Sequence, residues 1–321
     1  HYVIYGAGGV GGVIGARLFA AGYRTTLIAR GDHYRAVAAQ GLRLVTPDGA
    51  RAHRVPIVDH PRHVDWHADA VVLLCMKSQH TLTALEQLAA HAPANVAVCC
   101  VQNGVANERL ALRFFPRVYA SVVILPALFL HPGEVVTHAS GHGGILDTGC
   151  FPHGLDETAT VINADLSAAG FSAVPDAAVM RKKYAKLLSN LYNVLQAGLI
   201  DIDGAKPVRD LLRGEALSCF AAAGIECASK VETQARRQGV FEMVDIPGFE
   251  RAGGSSWQSM QRGTGDIETE YLNGEISLLG RLHGIATPAN DACVSMARAL
   301  LRRGQGPGLY TTAEFLRSIG A

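Results

Sequence analysis

The chain reads as an α/β protein: a doubly wound, Rossmann-type sheet in residues 1–172 followed by an all-α domain in residues 173–321. Three observations lead there. An apolar strand, Tyr2-Val3-Ile4-Tyr5, runs straight into Gly6-Ala7-Gly8-Gly9-Val10-Gly11, the GxGxxG pattern that opens a dinucleotide-binding βαβ unit. Through the first half, apolar runs of strand length alternate with helical patterns, as a parallel sheet requires. After Val174-Pro175 the strand signals give way to long helical stretches.

In the opening unit Gly6 is placed for the tight turn, and Gly8 for close approach of backbone N–H groups to a pyrophosphate. Gly11 lets the next helix pack on the strand, and the phosphates are expected at that helix's positive end, where Gly9 lies. Val13, Ile14, Ala16, Leu18 and Phe19 carry the helical pattern, and Thr25 to Ala29 the second strand. The residue closing that strand selects the dinucleotide. An acid there would accept from the ribose 2′-hydroxyl of NAD, whereas this chain places Arg30, with His33 and Arg35 behind it and Asp32 two residues late. NADP(H) is therefore expected, because a guanidinium holds a phosphate through paired N–H donors; the competing reading is a solvated loop cation.

Val71 to Met76 reads as a buried parallel strand, Thr81 to Ala90 as the following helix, and Val96 to Val101 as the next strand. Both strands end in polar residues, Lys77-Ser78-Gln79 and Gln102-Asn103-Gly104. Ligands of open α/β sheets bind at the carboxyl ends of strands, so Lys77, Gln79 and Asn103 fall where cofactor and substrate would lie. Residues 118–130 and 133–137 are read as further strands near the far edge of the sheet.

With 321 residues, 49% hydrophobic and 18% charged, the composition is that of a compact two-domain globule. A net charge of +1 argues against nucleic acid or an acidic membrane surface as the main partner. Seven cysteines without a CxxC pair read as reduced thiols of a cytoplasmic protein with no metal site, and the first strand at residue 2 leaves no secretory leader in view.

In the second half, residues 178–200, 214–237 and 266–283 read as helices. In the first of them Leu187, Leu191, Val194, Leu195 and Gly198 share one face, and Lys182, Lys186, Asn190 and Asn193 another. The polar stripe is either a solvated face or a site. Two Asn residues within four positions favour a site, because mid-helix Asn competes with its own backbone.

These motifs, taken in order, resemble the ketopantoate reductase (2-dehydropantoate 2-reductase) family over nearly the whole chain. The resemblance rests on GAGGVGG, the strand end with Lys77 and Gln79, QNGV at 102–105, Lys186-Leu187 with Asn190, Ser256 and Glu268 twelve residues apart, and Asn273-Gly274 followed by HGIATPAN at 283–290. It implies NADPH-dependent reduction of a 2-keto acid, with Lys186 as general acid, Asn103 between nicotinamide and substrate, and Glu268 at the active site. Asn190 and Ser256 would bind substrate, and Lys186 and Glu268 would meet across an interdomain cleft. Apart from the resemblance, the oligomeric state is left open, with the apolar helices of the second half offering a surface for a homodimer.

The chain departs from the family where a second Asn is usual eight residues after the Lys: Val194 stands there, with Asn193 one residue early. Ser255-Ser256-Trp257-Gln258-Ser259-Met260 and Ile267-Glu268-Thr269-Glu270 are altered as well, so a different keto acid is open. An imine- or opine-type reductase on the same scaffold and a non-catalytic NADP(H)-binding regulator stand as the alternatives. Residues 240–254 read as a loop, either closing over substrate or merely connecting.

Overall fold

A computed structural model describes residues 1–249, 267–303 and 308–320. The strands are β1 (Tyr2–Tyr5), β2 (Thr25–Ile28), β3 (Leu42–Thr46), β4 (Gly49–His53), β5 (Ile57–Val58), β6 (Val71–Leu74) and β7 (Ala97–Cys100), then β8 (Val118–Ile124), β9 (Ala127–Leu128), β10 (Glu134–Thr137), β11 (Ala139–Gly141), β12 (Ile145–Cys150) and β13 (Phe241–Met243). The helices of the first part are α1 (Gly9–Ala20), α2 (Gly31–Gln40), α3 (Thr81–His91), α4 (Asn107–Ala111) and α5 (Glu157–Ala168).

The seven-stranded sheet has the order β12-β8-β7-β6-β1-β2-β5, parallel except for β12, which runs antiparallel to β8. Strand order therefore reverses at the β1/β6 pair, where Tyr5 lies opposite Leu74. The turn after β1 and the turn after β6 emerge side by side at the carboxyl ends, the switch point at which such sheets bind ligands. Because β1 is central, both of its faces are buried. Tyr2 and Ile4 join a core that includes Ile14 and Leu18 of α1 and Ile162 and Leu166 of α5, while Val3 and Tyr5 join Leu85 and Leu88 of α3 on the opposite face.

Residues 133–137 depart from the expectation of a strand at the edge of the main sheet. As β10 they pair in parallel with β3 in a separate sheet of order β4-β3-β10-β9, whose Val135 lies against α1.

The chain divides into two compact units: residues 1–102, 106–182 and the described part of 230–251 in one, and 103–105, 183–229 and the described residues from 267 onward in the other. The stretch expected as one helix over 178–200 is two, α6 (Val179–Asn190) and α7 (Asn193–Gly198). The break follows from tertiary hydrogen bonding, since the Leu191 carbonyl accepts from the Asn273 side chain at 3.2 Å. The expected helix over 214–237 is also two, α8 (Lys206–Ala222) and α9 (Lys230–Arg237). Gly224 (φ +64°) ends α8, and Ile225 N–H donates back to the Phe220 carbonyl, a glycine-terminated helix end. The third stretch begins as a short 3₁₀ turn, Glu268–Tyr271, before the helix Asn273–His283. Helices Pro288–Arg303 and Thr312–Ser318 complete the chain.

Residues 230–249 return to the first unit as a strap. β13 pairs antiparallel with β11, and Val244 N–H donates to the His138 carbonyl at 2.9 Å. The Arg236 guanidinium grips Asp147 of β12 through Nε at 2.8 Å and Nη2 at 2.5 Å. The segment expected as a loop over 240–254 is thus bound by a ladder at its start; its last residues, from 250, lie outside the described residues.

Candidate active site

The glycine turn shows which glycines the protein itself needs. Gly6 has φ +96°, and a Cβ there would lie 2.6 Å from the Met76 nitrogen, so no other residue makes this turn beside β6. A Cβ on Gly11 would lie 2.1 Å from the Gly6 carbonyl oxygen and 2.8 Å from the Cys75 Cβ, so α1 packs at backbone distance on the turn. Gly8 is different: the atom nearest to its added Cβ is Phe129 Cδ1 at 3.8 Å, an ordinary contact. Its missing side chain is not demanded by the fold, which suits an approach from outside. Gly8 caps α1 without a side-chain bond, Gly9 opens the helix, and no acid sits in the first turn. The first backbone N–H groups of a helix have no intrahelical partner and carry its positive end, so these residues fit a pyrophosphate.

Arg30 closes β2 as the cap of α2, with an exposed side chain. It is not a wholly solvated cation: Nη2 donates to Gln87 Oε1 at 2.7 Å and to the Tyr5 hydroxyl at 3.2 Å, and that hydroxyl donates in turn to Gln87. Burial pushes the Tyr5 hydroxyl above its ordinary value, and the neighbouring guanidinium draws it back down. Gln87, on α3, thus holds one nitrogen of an exposed cation. His33 does not belong to that cationic end. Its ring is buried, with Nε2 at 2.8 Å from the Ala7 carbonyl and Nδ1 accepting from Gly133 N–H at 3.0 Å.

Lys77 caps the short 3₁₀ turn Ser78–His80 after β6, and Gln79 lies within it with a buried Oε1 that has no hydrogen-bond partner among the described residues. A buried chain of amides and hydroxyls locks this turn to the residues after β7. Gln102 donates to Thr81 Oγ1 at 2.8 Å, Thr81 to Asn107 Oδ1 at 2.8 Å, and Asn107 to Ser78 Oγ at 3.0 Å. Asn103, the next residue after Gln102, is partly buried. Gly104 (φ +81°), itself part of the second unit, lies close to that unit's 3₁₀ turn, since a Cβ on it would meet the Tyr271 carbonyl at 3.0 Å. Asn103 thus precedes a residue that lies against the turn beginning with Glu268, whose side chain is buried at 8% exposure.

On α6 the polar stripe is real but its membership differs from the sequence reading. Lys183 is 3% and Asn190 4% exposed, and Lys186, one turn before Asn190, is partly buried. Asn190 Nδ2 has no hydrogen-bond partner among the described residues. Lys182 points elsewhere, its Nζ pairing with Asp147 at 2.8 Å and Asp176 at 2.9 Å in the first unit. Asn193 does not extend the stripe, because the helix breaks before it and it opens α7. Val194 is fully buried. Ser256 lies outside the described residues. Among those described, no group of three or more His, Cys, Asp or Glu could hold a metal, and no helix is long and apolar enough to cross a membrane.

The chain matches the profile of ketopantoate reductase PanE/ApbA over residues 2–152 and that of its C-terminal part over 178–301. It belongs to the ketopantoate reductase family. The 2-dehydropantoate 2-reductase of Halobacterium salinarum is 26% identical over 305 residues, covering 94% of this chain and 99% of the relative. The crystal structure of a family member from Ralstonia eutropha superposes with a TM-score of 0.78 at 27% identity, covering 95% of this chain and 99% of that one. A D-mandelate dehydrogenase solved with NADH and anilino(oxo)acetate shares the fold, with a TM-score of 0.79 at 20% identity over 95% of this chain and 99% of that one.

Within this family member, Asn273 and Asn290 of the C-terminal signature are scaffold. Asn273 Nδ2 bridges the Leu191 carbonyl and Asn290 Oδ1 at 3.0 Å, and Glu215 accepts from Ala289 N–H, Asn290 N–H and Asn290 Nδ2 at 2.8, 3.0 and 2.7 Å. Sequence reading missed Lys183, Gln87 and the Thr81–Asn107 bridge. The spacing of Lys183, Lys186/Leu187 and Asn190 at i, i+3/i+4 and i+7 was the available signal for the first; no local signal pointed to the other two.

Proposed function

We propose that this family member reduces a 2-keto acid to the 2-hydroxy acid with a nicotinamide dinucleotide, preferring NADPH. One observation carries the reading: a buried amide donor without a partner among the described residues, Asn190 Nδ2, lies one helical turn from the ammonium of Lys186. A buried donor left unpaired costs about 1–3 kcal/mol, and a carboxylate or hydroxyl of a bound molecule would remove that cost. The nicotinamide, when bound, supplies the hydride for the ketone carbon. Lys186 supplies the cation and the proton for the oxygen that turns into an alkoxide, and Asn103, Asn190 and Ser256 are neutral donors for the substrate's carboxylate or hydroxyl. Glu268 accepts from a substrate hydroxyl or holds Lys186. Gly6, Gly8, Gly9 and Gly11 seat the dinucleotide, and Lys77 and Gln79 border it. Asn193 is a weaker candidate for substrate, being outside the α6 stripe.

Oxidation of NADPH with a panel of keto acids, with and without amines, tests the reading. Turnover with a keto acid alone is the expected result. A strict need for an amine would make the enzyme an imine- or opine-type reductase, and binding without turnover a regulator. The cofactor preference rests on Arg30, whose free donors suit a 2′-phosphate. Losing a charge-assisted bond costs about 1.5–3 kcal/mol, so Arg30→Ala should weaken NADPH by roughly tenfold or more and leave NADH little changed. Equal use of the two dinucleotides by the unmodified protein would overturn it.

A further inference from the structure

His33 is held in a way that a merely packed histidine is not. Its ring is 8% exposed and stands edge-on to Phe129 at 4.6 Å between centroids. Nδ1 accepts from Gly133 N–H, so it carries no proton of its own. Nε2 must then bear the hydrogen and donate it to the Ala7 carbonyl at 2.8 Å. Ala7 is the residue between the first two glycines of the turn. In a trans peptide the carbonyl and the next N–H point in opposite directions, so drawing the Ala7 carbonyl toward His33 aims Gly8 N–H away from it. Phe129 packs against both the ring and Gly8. We infer that neutral His33 is the positioning residue of the dinucleotide turn, and that protonating it releases NAD(H) and NADP(H) alike; the inference rests on the dinucleotide reading above.

A second proton on the ring sets two N–H donors, His33 and Gly133, against each other, and relief requires the ring or the turn to move. Charged and titratable groups on the elements packed around it are Asp32, Tyr34 and Arg35 in α2, Arg43 in β3, and His131 and Glu134 beside Gly133. Asp32 pairs with Arg35 and Arg43 with Glu134. Burial holds the ring's affinity for a proton below the ordinary value of about 6.5, although the Ala7 carbonyl opposes it, so the loss falls on the acid side of neutrality.

The test measures binding of NAD⁺ and NADP⁺ to the full chain by titration calorimetry from pH 8 to pH 5 at constant ionic strength. Affinity for both should fall together, by about tenfold for each pH unit below the point where the ring takes its proton, as the binding-competent fraction shrinks. His33→Gln offers a donor to Ala7 and an acceptor to Gly133 at every pH and should bind without the acid loss. Phe129→Leu, which opens the ring to water, should move the loss to higher pH. A parent whose NAD⁺ affinity survives at pH 5, or a His33→Gln that keeps the parent's slope, overturns this inference alone. Failure of either dinucleotide to bind at pH 8 overturns the reading of the site with it.

Discussion

Replacing Lys186 by Ala is expected to lower kcat by roughly 10²–10⁴, the range for a positioned general acid, while the unfolding midpoint and NADPH affinity stay near those of the parent. The ammonium is proposed to act on a charge that exists only as the hydride arrives, so its loss should appear in kcat rather than in binding. Lys182→Ala provides the contrast. That side chain, one turn earlier on α6, is paired with Asp147 and Asp176, and its removal should cost stability while turnover per folded molecule persists. Steady-state kinetics beside thermal melts for the two variants separate the cases. If Lys186→Ala turns over like the parent, or only destabilises, the general-acid assignment fails.

Asp147→Ala is expected to destabilise the first unit by about 3–5 kcal/mol, the usual result of removing one partner from a buried ion pair. Its carboxylate is 0% exposed, is held by Arg236 and Lys182, and also accepts from Val174 N–H at 3.1 Å. Among the described residues, Arg236 would keep the Ser172 oxygens, at 3.1 and 3.0 Å, to hold the strap 230–249. Urea unfolding should give the lowered midpoint, and limited proteolysis should cut within the strap before the sheet is touched. A midpoint within about 0.5 kcal/mol of the parent, the range of an unimportant surface change, would show that the pair contributes little.

The cluster also sets a pH dependence. Burial pushes the Asp147 carboxyl up, but the bonds and charges of Arg236 and Lys182 outweigh it and hold the group below the ordinary value. Stability from a depressed carboxyl is present above the unfolded value of about 3.9 and is lost as pH falls through the folded one. Burial likewise opposes the charge on Lys182, and its two aspartates prevail and raise it, so its share is lost only as pH climbs through a folded value above about 10.4. The strap should hold from weakly acidic to alkaline pH.

The amino-acid sequence alone determined the βαβ opening, the glycine turn, the strands β6 and β7 with Lys77, Gln79 and Asn103 at their ends, and the change to helices in the second half. Each of these is written in short-range terms: period, turn chemistry, and which residue follows an apolar run. Family membership was legible for the same reason, as an ordered string of local motifs. The tertiary structure decided what local patterns do not encode. Helix periodicity runs unbroken through residues 178–200, yet the Asn273 side chain takes the Leu191 carbonyl across 82 residues and ends α6 there. The same periodicity put Lys182 on one stripe with Lys186, and the buried Asp147, 35 residues away, turned it aside together with Asp176. His33, adjacent in sequence to a cationic strand end, was drawn inward by Ala7 and Gly133, contacts 26 and 100 residues distant. A polar side chain's role depends on which long-range partner satisfies it, because a buried donor or acceptor must be paired wherever the fold brings a partner. Spacing along the chain says which side chains can share a face, and only folding says what that face meets.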